Sequence, residues 1–217
     1  MRFHKLAICV AAAALTPLAA QAEHFASTTF TLLPGSIVGA DFPGSYGGDL
    51  AGAFPVALDD ATARSYVLGA SDGKFLTLPG MTGTPSGSPF PGAYVEVGFG
   101  DNFGPDATLK IYETGDNGES AHIFLWSDNG GNVQFDVTRG ISDSISIDLG
   151  IYASALSSIG GTAFTKVGIG GLDLKGASKG FDLDAVSVSA VPEPETYALM
   201  LGGLGLVCWM ARRRRAD

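Results

Sequence analysis

The side chains that can do chemistry in this sequence are mostly acidic. GDNFGPDATLKIYE, residues 100–113, puts Asp101, Asn102 and Asp106 in a Gly/Pro loop that runs into a strand. GFDLDAV, residues 180–186, sets Asp182 and Asp184 two apart, on one face of the last strand. Calcium takes about six to eight oxygens from carboxylates, amides and backbone carbonyls, and these five residues offer that donor type. Two readings stand side by side: ligands of a structural calcium ion, or charges that solubilise strand ends and turns. GDNGES, residues 115–120, is no EF-hand loop, because it lacks the acid pattern and the flanking helices.

Other chemistries lack their residues. The two cysteines, Cys9 and Cys208, fall in apolar runs near the ends. The stretch between them therefore has no disulfide, no thiolate zinc site and no cysteine nucleophile. His122 lies in AHIFLW, where alternation groups it with Phe124 and Trp126, as a structural or surface residue. No serine sits in a nucleophile elbow, and no His/Asp/Glu spacing makes a transition-metal site. No catalytic residue is assigned, and a non-enzymatic protein is expected. Its abundant carboxylates leave a polysaccharide-active enzyme as the alternative.

Charge narrows the partners. Residues 23–211 contain 7 basic and 21 acidic side chains, a net charge of −14. So acidic a body repels nucleic acid, which is excluded as a partner.

The ends read as addresses. Arg2, His4 and Lys5 precede an apolar run over 6–20, and Ala20-Gln21-Ala22 supplies the small residues of a cleavage site before Glu23. Residues 1–22 are thus a predicted signal peptide, cut by signal peptidase. At the other end, 196–211 is a 16-residue run without a charge, about 24 Å long as a helix at ~1.5 Å per residue. Arg212, Arg213, Arg214 and Arg215 follow it, favouring a cytoplasmic C-terminus for a single transmembrane helix. Pro192 and Pro194 stop that helix upstream and hold 191–195 extended.

Val191-Pro192-Glu193-Pro194, a short hydrophobic span and an arginine cluster together resemble the PEP-CTERM sorting signal of Gram-negative bacteria. The resemblance covers 191–215. It implies recognition by an exosortase, removal of the tail and a place for the body at the cell surface, with the inner membrane a transient partner. A permanently membrane-anchored protein is the competing reading of the same tail.

Something must present these residues, and the pattern says strands. Runs near 25–33, 65–69, 75–78, 94–99, 108–114, 121–127, 133–138, 144–149, 164–169 and 181–189 alternate or are β-branched, with one short helix near 152–158. GDNGE and DNGGN suit hairpin turns. About ten strands without long helices predict an all-β body over 23–190, a two-sheet antiparallel β-sandwich of jelly-roll or galactose-binding-like type. In such a sandwich the last strand lies beside early loops, where the two acidic groups could meet. Residues 94–188 also loosely resemble surface β-sandwich domains that close with GFDLDAV. Tyr46, Tyr66, Tyr94, Tyr112, Trp126 and Tyr152 are rings able to stack on sugars, although the apolar run 123–126 predicts Trp126 in the core. Together these features predict an exported surface or matrix protein of the biofilm, associated with exopolysaccharide.

Overall fold

The computed structural model describes residues 23–33, 46–49, 56–80, 87–115, 118–174 and 178–190, with Gly202, Gly203 and Gly205. The expected signal peptide, its cleavage residues Ala20 and Ala22, the sorting motif, the apolar run over 196–211 and the arginines lie outside these, those three glycines apart. No helix among the described residues is long and apolar enough to cross a membrane. The chain divides into a unit over Glu23–Ala190 and one formed by the two ends.

The body is two antiparallel sheets. One carries β10 (Ser144–Asp148), β7 (Ala107–Glu113), β12 (Phe181–Ala190), β5 (Lys74–Leu78), β3 (Tyr46–Asp49) and β4 (Val56–Ala57) in that order, with β1 (His24–Phe25) also paired to β12. The other runs β2 (Phe30–Leu33), β6 (Tyr94–Phe103), β11 (Phe164–Gly171), β8 (Ser120–Ser127) and β9 (Asn132–Thr138). Period-2 alternation turns Leu109 and Ile111 of the first sheet and Val95, Val97, Ile123 and Leu125 of the second into one shared apolar core.

Several expectations change. The run near 65–69 is not a strand but the end of helix α1 (Asp60–Val67). Asp59 caps it by accepting from the Thr62 amide at 2.7 Å, and Ala63 and Val67, four apart, bury its inner stripe. The run over 25–33 breaks into β1 and β2, which join different sheets. GDNGE closes no hairpin, because β7 and β8 belong to different sheets and the segment carries the chain across. DNGGN does close one, β8 to β9, with Gly130 at φ 86 in the left-handed region that the turn requires. The helix expected near 152–158 is α2 (Ala153–Ser158), preceded by a 3-10 turn over Leu149–Tyr152.

Candidate functional site

The GDNGE crossover builds a buried polar site. Alternation along β7 sends Ala107, Leu109, Ile111 and Glu113 inward in turn, so the fourth inward position carries a carboxylate. Glu119 keeps the same parity as Ala121, Ile123 and Leu125 of β8. Asp182 approaches both of them from the start of β12. One oxygen from each of Glu113, Glu119 and Asp182 lies within 4.8 Å of the others. Their exposures are 0%, 0% and 2%, so bulk solvent does not screen their mutual repulsion.

Arg139 supplies the opposing charge. Its Nε lies 2.5 Å from Glu113 Oε2, and the side chain is 7% exposed. The same guanidinium donates to the Ser142 carbonyl at 3.1 Å, to Asp143 Oδ1 at 3.0 Å and to the Gly115 carbonyl. It thereby ties the crossover to the turn between β9 and β10. Burial pushes the Glu113 carboxyl above its ordinary value, against the opposing pull of its hydrogen bond to Glu119 and of the Arg139 charge. The Glu113–Glu119 hydrogen bond requires a proton held between the two carboxyls, which the raised Glu113 value favours.

Gly115 keeps a side chain out of this cluster. A Cβ on this residue would stand 2.6 Å from Glu113 Oε1, 2.8 Å from Asp182 Oδ2 and closer still to Glu119 Oε2. Three carboxylate oxygens thus close in around the Gly115 α-carbon, where any larger side chain would collide with them. Oxygen donors alone, with no nitrogen or sulfur, suit a hard cation. Thr114 Oγ1 is a further buried oxygen without a hydrogen-bond partner among the described residues.

The acids that the sequence singled out are spread more widely. Asp101 and Asn102 are exposed at the end of β6, and exposed Asp106 precedes β7. Ala107, next to Asp106, pairs with Ala190, whereas Glu113 at the other end of β7 pairs with Leu183. The register therefore holds Asp106 and Asp182 apart by most of the β7 strand, roughly 20 Å at ~3.4 Å per residue, so the two groups do not meet. Asp184 accepts from Ser71 Oγ at 2.6 Å and from the amides of Asp72 and Gly73, fixing that loop. Asp182, which also accepts from Thr77 Oγ1 at 2.7 Å and from Ser178 Oγ, joins the buried cluster instead. Glu113 and Glu119 were missed. Their signal was an acid at the apolar parity of LKIYE and again just ahead of AHIFLW.

Comparison with known proteins speaks to the tail. No curated protein matches the chain. Among solved structures it is similar to an exo-β-1,3-galactanase from Phanerochaete chrysosporium crystallised with β-1,3-galactotriose, at 15% identity and a TM-score of 0.27. The match covers 76% of this chain and 27% of that one, and likeness at this level transfers neither fold nor activity. Residues 190–215 match the PEP-CTERM protein-sorting motif. The Pro-Glu-Pro residues, the uncharged run and the arginines all fall within that span, and the motif implies export, passage through the membrane and exosortase processing. The chain is an exported protein carrying a PEP-CTERM sorting signal.

Proposed function

We propose that the protein is a non-enzymatic component of the cell surface or biofilm matrix, trimmed at Pro-Glu-Pro and held in exopolysaccharide. The sorting motif over 190–215 carries this reading. In detail, signal peptidase cuts before Glu23, and residues 196–211 cross the inner membrane as a single helix with the arginines in the cytoplasm. Exosortase then frees a body of jelly-roll, galactose-binding-like type.

Two observations favour a non-catalytic body over a glycosidase. Hydrolysis needs two carboxyls flanking a bound sugar, yet the three that converge here are sealed from solvent. A surface pocket lined by Phe30, Thr31, Leu32, Asp60, Ala61 and Arg64 holds a single carboxylate.

The intact mass of the protein recovered from cell surface and medium tests the sorting reading. A mass running from Glu23 to a C-terminus at residues 192–195 is expected, with or without added sugar. A mass reaching Asp217 would make the tail a permanent anchor and overturn the reading.

The same body takes a structural calcium ion between Glu113, Glu119 and Asp182, the ion taking the place of the proton that Glu113 and Glu119 share. An ion that binds only the folded form at about 100 times its Kd adds ~2.7 kcal/mol. For a body of this size the thermal midpoint should rise by roughly 5–10 °C between chelator and saturating calcium. Equal midpoints in the two buffers would remove the ion from this account.

A further inference from the structure

The outer face of the five-stranded sheet carries a second, separate cluster of aromatic side chains. Cross-strand register aligns Leu33, Tyr94, Gly170, His122 and Asp136 in one row and Thr31, Glu96, Gly168, Phe124 and Gln134 in the next. A third row holds Gly98, Lys166, Trp126 and Asn132. The apolar run does not put Trp126 in the core, because strand parity sends it outward with Phe124 and His122. The central strand β11 contributes two glycines to these rows, and aromatic rings fill the space they leave. A Cβ on Gly168 would meet the Tyr94 hydroxyl and ring, and one on Gly170 the Phe90 ring.

This surface is locked by its own contacts. Trp126 Nε1 donates to Tyr94 Oη at 3.0 Å, Tyr94 Oη donates to Glu96 Oε1 at 2.9 Å, and Lys166 Nζ reaches Glu96 Oε2 at 2.7 Å. Lys166 Nζ also sits 5.2 Å from the Trp126 ring centroid. Phe124 stacks beside the indole with an interplanar angle of 14°. Burial pushes the Tyr94 phenol far above its ordinary value, so it stays protonated as the link in this chain. Trp126 itself remains partly exposed, next to exposed Gln134 and half-buried Asn132.

From this arrangement we infer that the face binds a neutral polysaccharide, with Trp126 as the stacking platform and Glu96, Lys166, Gln134 and Asn132 as hydrogen-bonding groups. A sugar ring is apolar on its C–H face and polar around its rim. A fixed indole bordered by a carboxylate, an ammonium and carboxamides complements both parts. Side chains already held in place lose little entropy on binding. Glu96 and Lys166 cancel each other's charge, and the surrounding body over 23–190, with 7 basic and 19 acidic residues and a net charge of −12, repels an acidic polymer. The inference rests on the matrix reading, and supplies the surface by which the body would be retained there.

Affinity electrophoresis tests it, using the protein recovered from the cell surface in gels containing a β-glucan, a galactan, a mannan or, as the acidic case, alginate. Retardation by at least one neutral polymer is expected. Trp126→Ala should weaken it roughly tenfold, and Gln134→Ala, on the exposed side of an edge strand, about threefold or more. Melting curves would identify any variant that fails to fold, and the Gln134 variant keeps the test open in that event. Migration unchanged by every neutral polymer, retardation by alginate alone, or wild-type retardation in the folded variants would overturn the inference. A processed mass with no retardation would leave the sorting reading intact while removing this surface, so the two fail separately.

Discussion

Arg139→Met is expected to lower the thermal midpoint by roughly 10 °C, because leaving buried charge unpaired costs about 3–5 kcal/mol. Glu113 would lose its 2.5 Å ion-pair partner while staying fully buried, with Glu119 and Asp182 still beside it. The Gly115 and Ser142 carbonyls would lose their donor at the same time. The deficit should depend on pH in a defined direction. The Glu113 carboxyl already titrates above its ordinary value in the folded protein, and loss of the guanidinium raises it further. A carboxyl raised in this way binds its proton more tightly when folded. Its stabilising contribution is full below the unfolded carboxylate range and is lost as pH rises through the folded value. The gap between variant and wild type should therefore be wider at pH 8 than at pH 5. Calcium should narrow it, since a dication restores positive charge among the three carboxylates, and adding Glu113→Gln to the variant should do so too. Circular-dichroism melts at the two pH values, with calcium and with chelator, measure all of this. A variant that melts like wild type at pH 8 would show that the buried cluster is not a charged one.

What the sequence made legible was period, and what it hid was pairing. Strict alternation in LKIYE and ISID located β7 and β10, and DNGGN located the hairpin between β8 and β9. Alternation cannot say which sheet a strand joins. GDNGE therefore looked like a hairpin while serving as a crossover between sheets, and only the crossover brings Glu119 back to Glu113. The run 65–69 was misread for a different reason, since the Asp59 cap and the 63/67 stripe set a helix that ends on Tyr66 and Val67, two residues that equally suit a strand. Asp182 was legible as an acid in an otherwise apolar strand. Its neighbours were not, because they come from residues 69 and 63 positions earlier in the chain. Trp126 shows the same limit: four apolar residues in a row read as core, although parity alone decides which two face outward. The tail needed no fold at all, and its local motif was readable in full.

Gly171→Ala should be among the most damaging small substitutions in the body, at about 3 kcal/mol or more, since overpacking against backbone has little room to relax. A Cβ at this position would lie 2.6 Å from the carbonyl carbon of Leu78 and closer still to its oxygen. Both are main-chain atoms at the end of β5, so no rotamer change can make way. The crowding is shared. A Cβ on Gly180 would also meet the Leu78 carbonyl, and one on Gly80 the backbone of Leu172 and Asp173. Three glycines thus mark the corner where the chain leaves the seven-stranded sheet after Leu78 and reaches the five-stranded one. The Gly80 amide bonds the Asp173 carbonyl there at 2.9 Å, and the Ala93 amide bonds the Pro79 carbonyl at 2.9 Å. The expected fall in thermal midpoint is roughly 6–12 °C. Gly140→Ala is the matched control, because its Cβ would meet nothing within 4 Å and its φ lies outside the left-handed region. That change should leave the midpoint within about 1–2 °C, or raise it slightly by restricting the unfolded chain. The corner also bears on the outer face, since it anchors the segment carrying Phe90, whose ring lies over Gly170 and stacks on His122 with centroids 5.3 Å apart. Forcing the corner open should therefore weaken polysaccharide retardation in whatever fraction of Gly171→Ala remains folded, whereas Gly140→Ala should bind as wild type. Equal melting of the two alanine variants would mean that the backbones at this corner are not in direct contact.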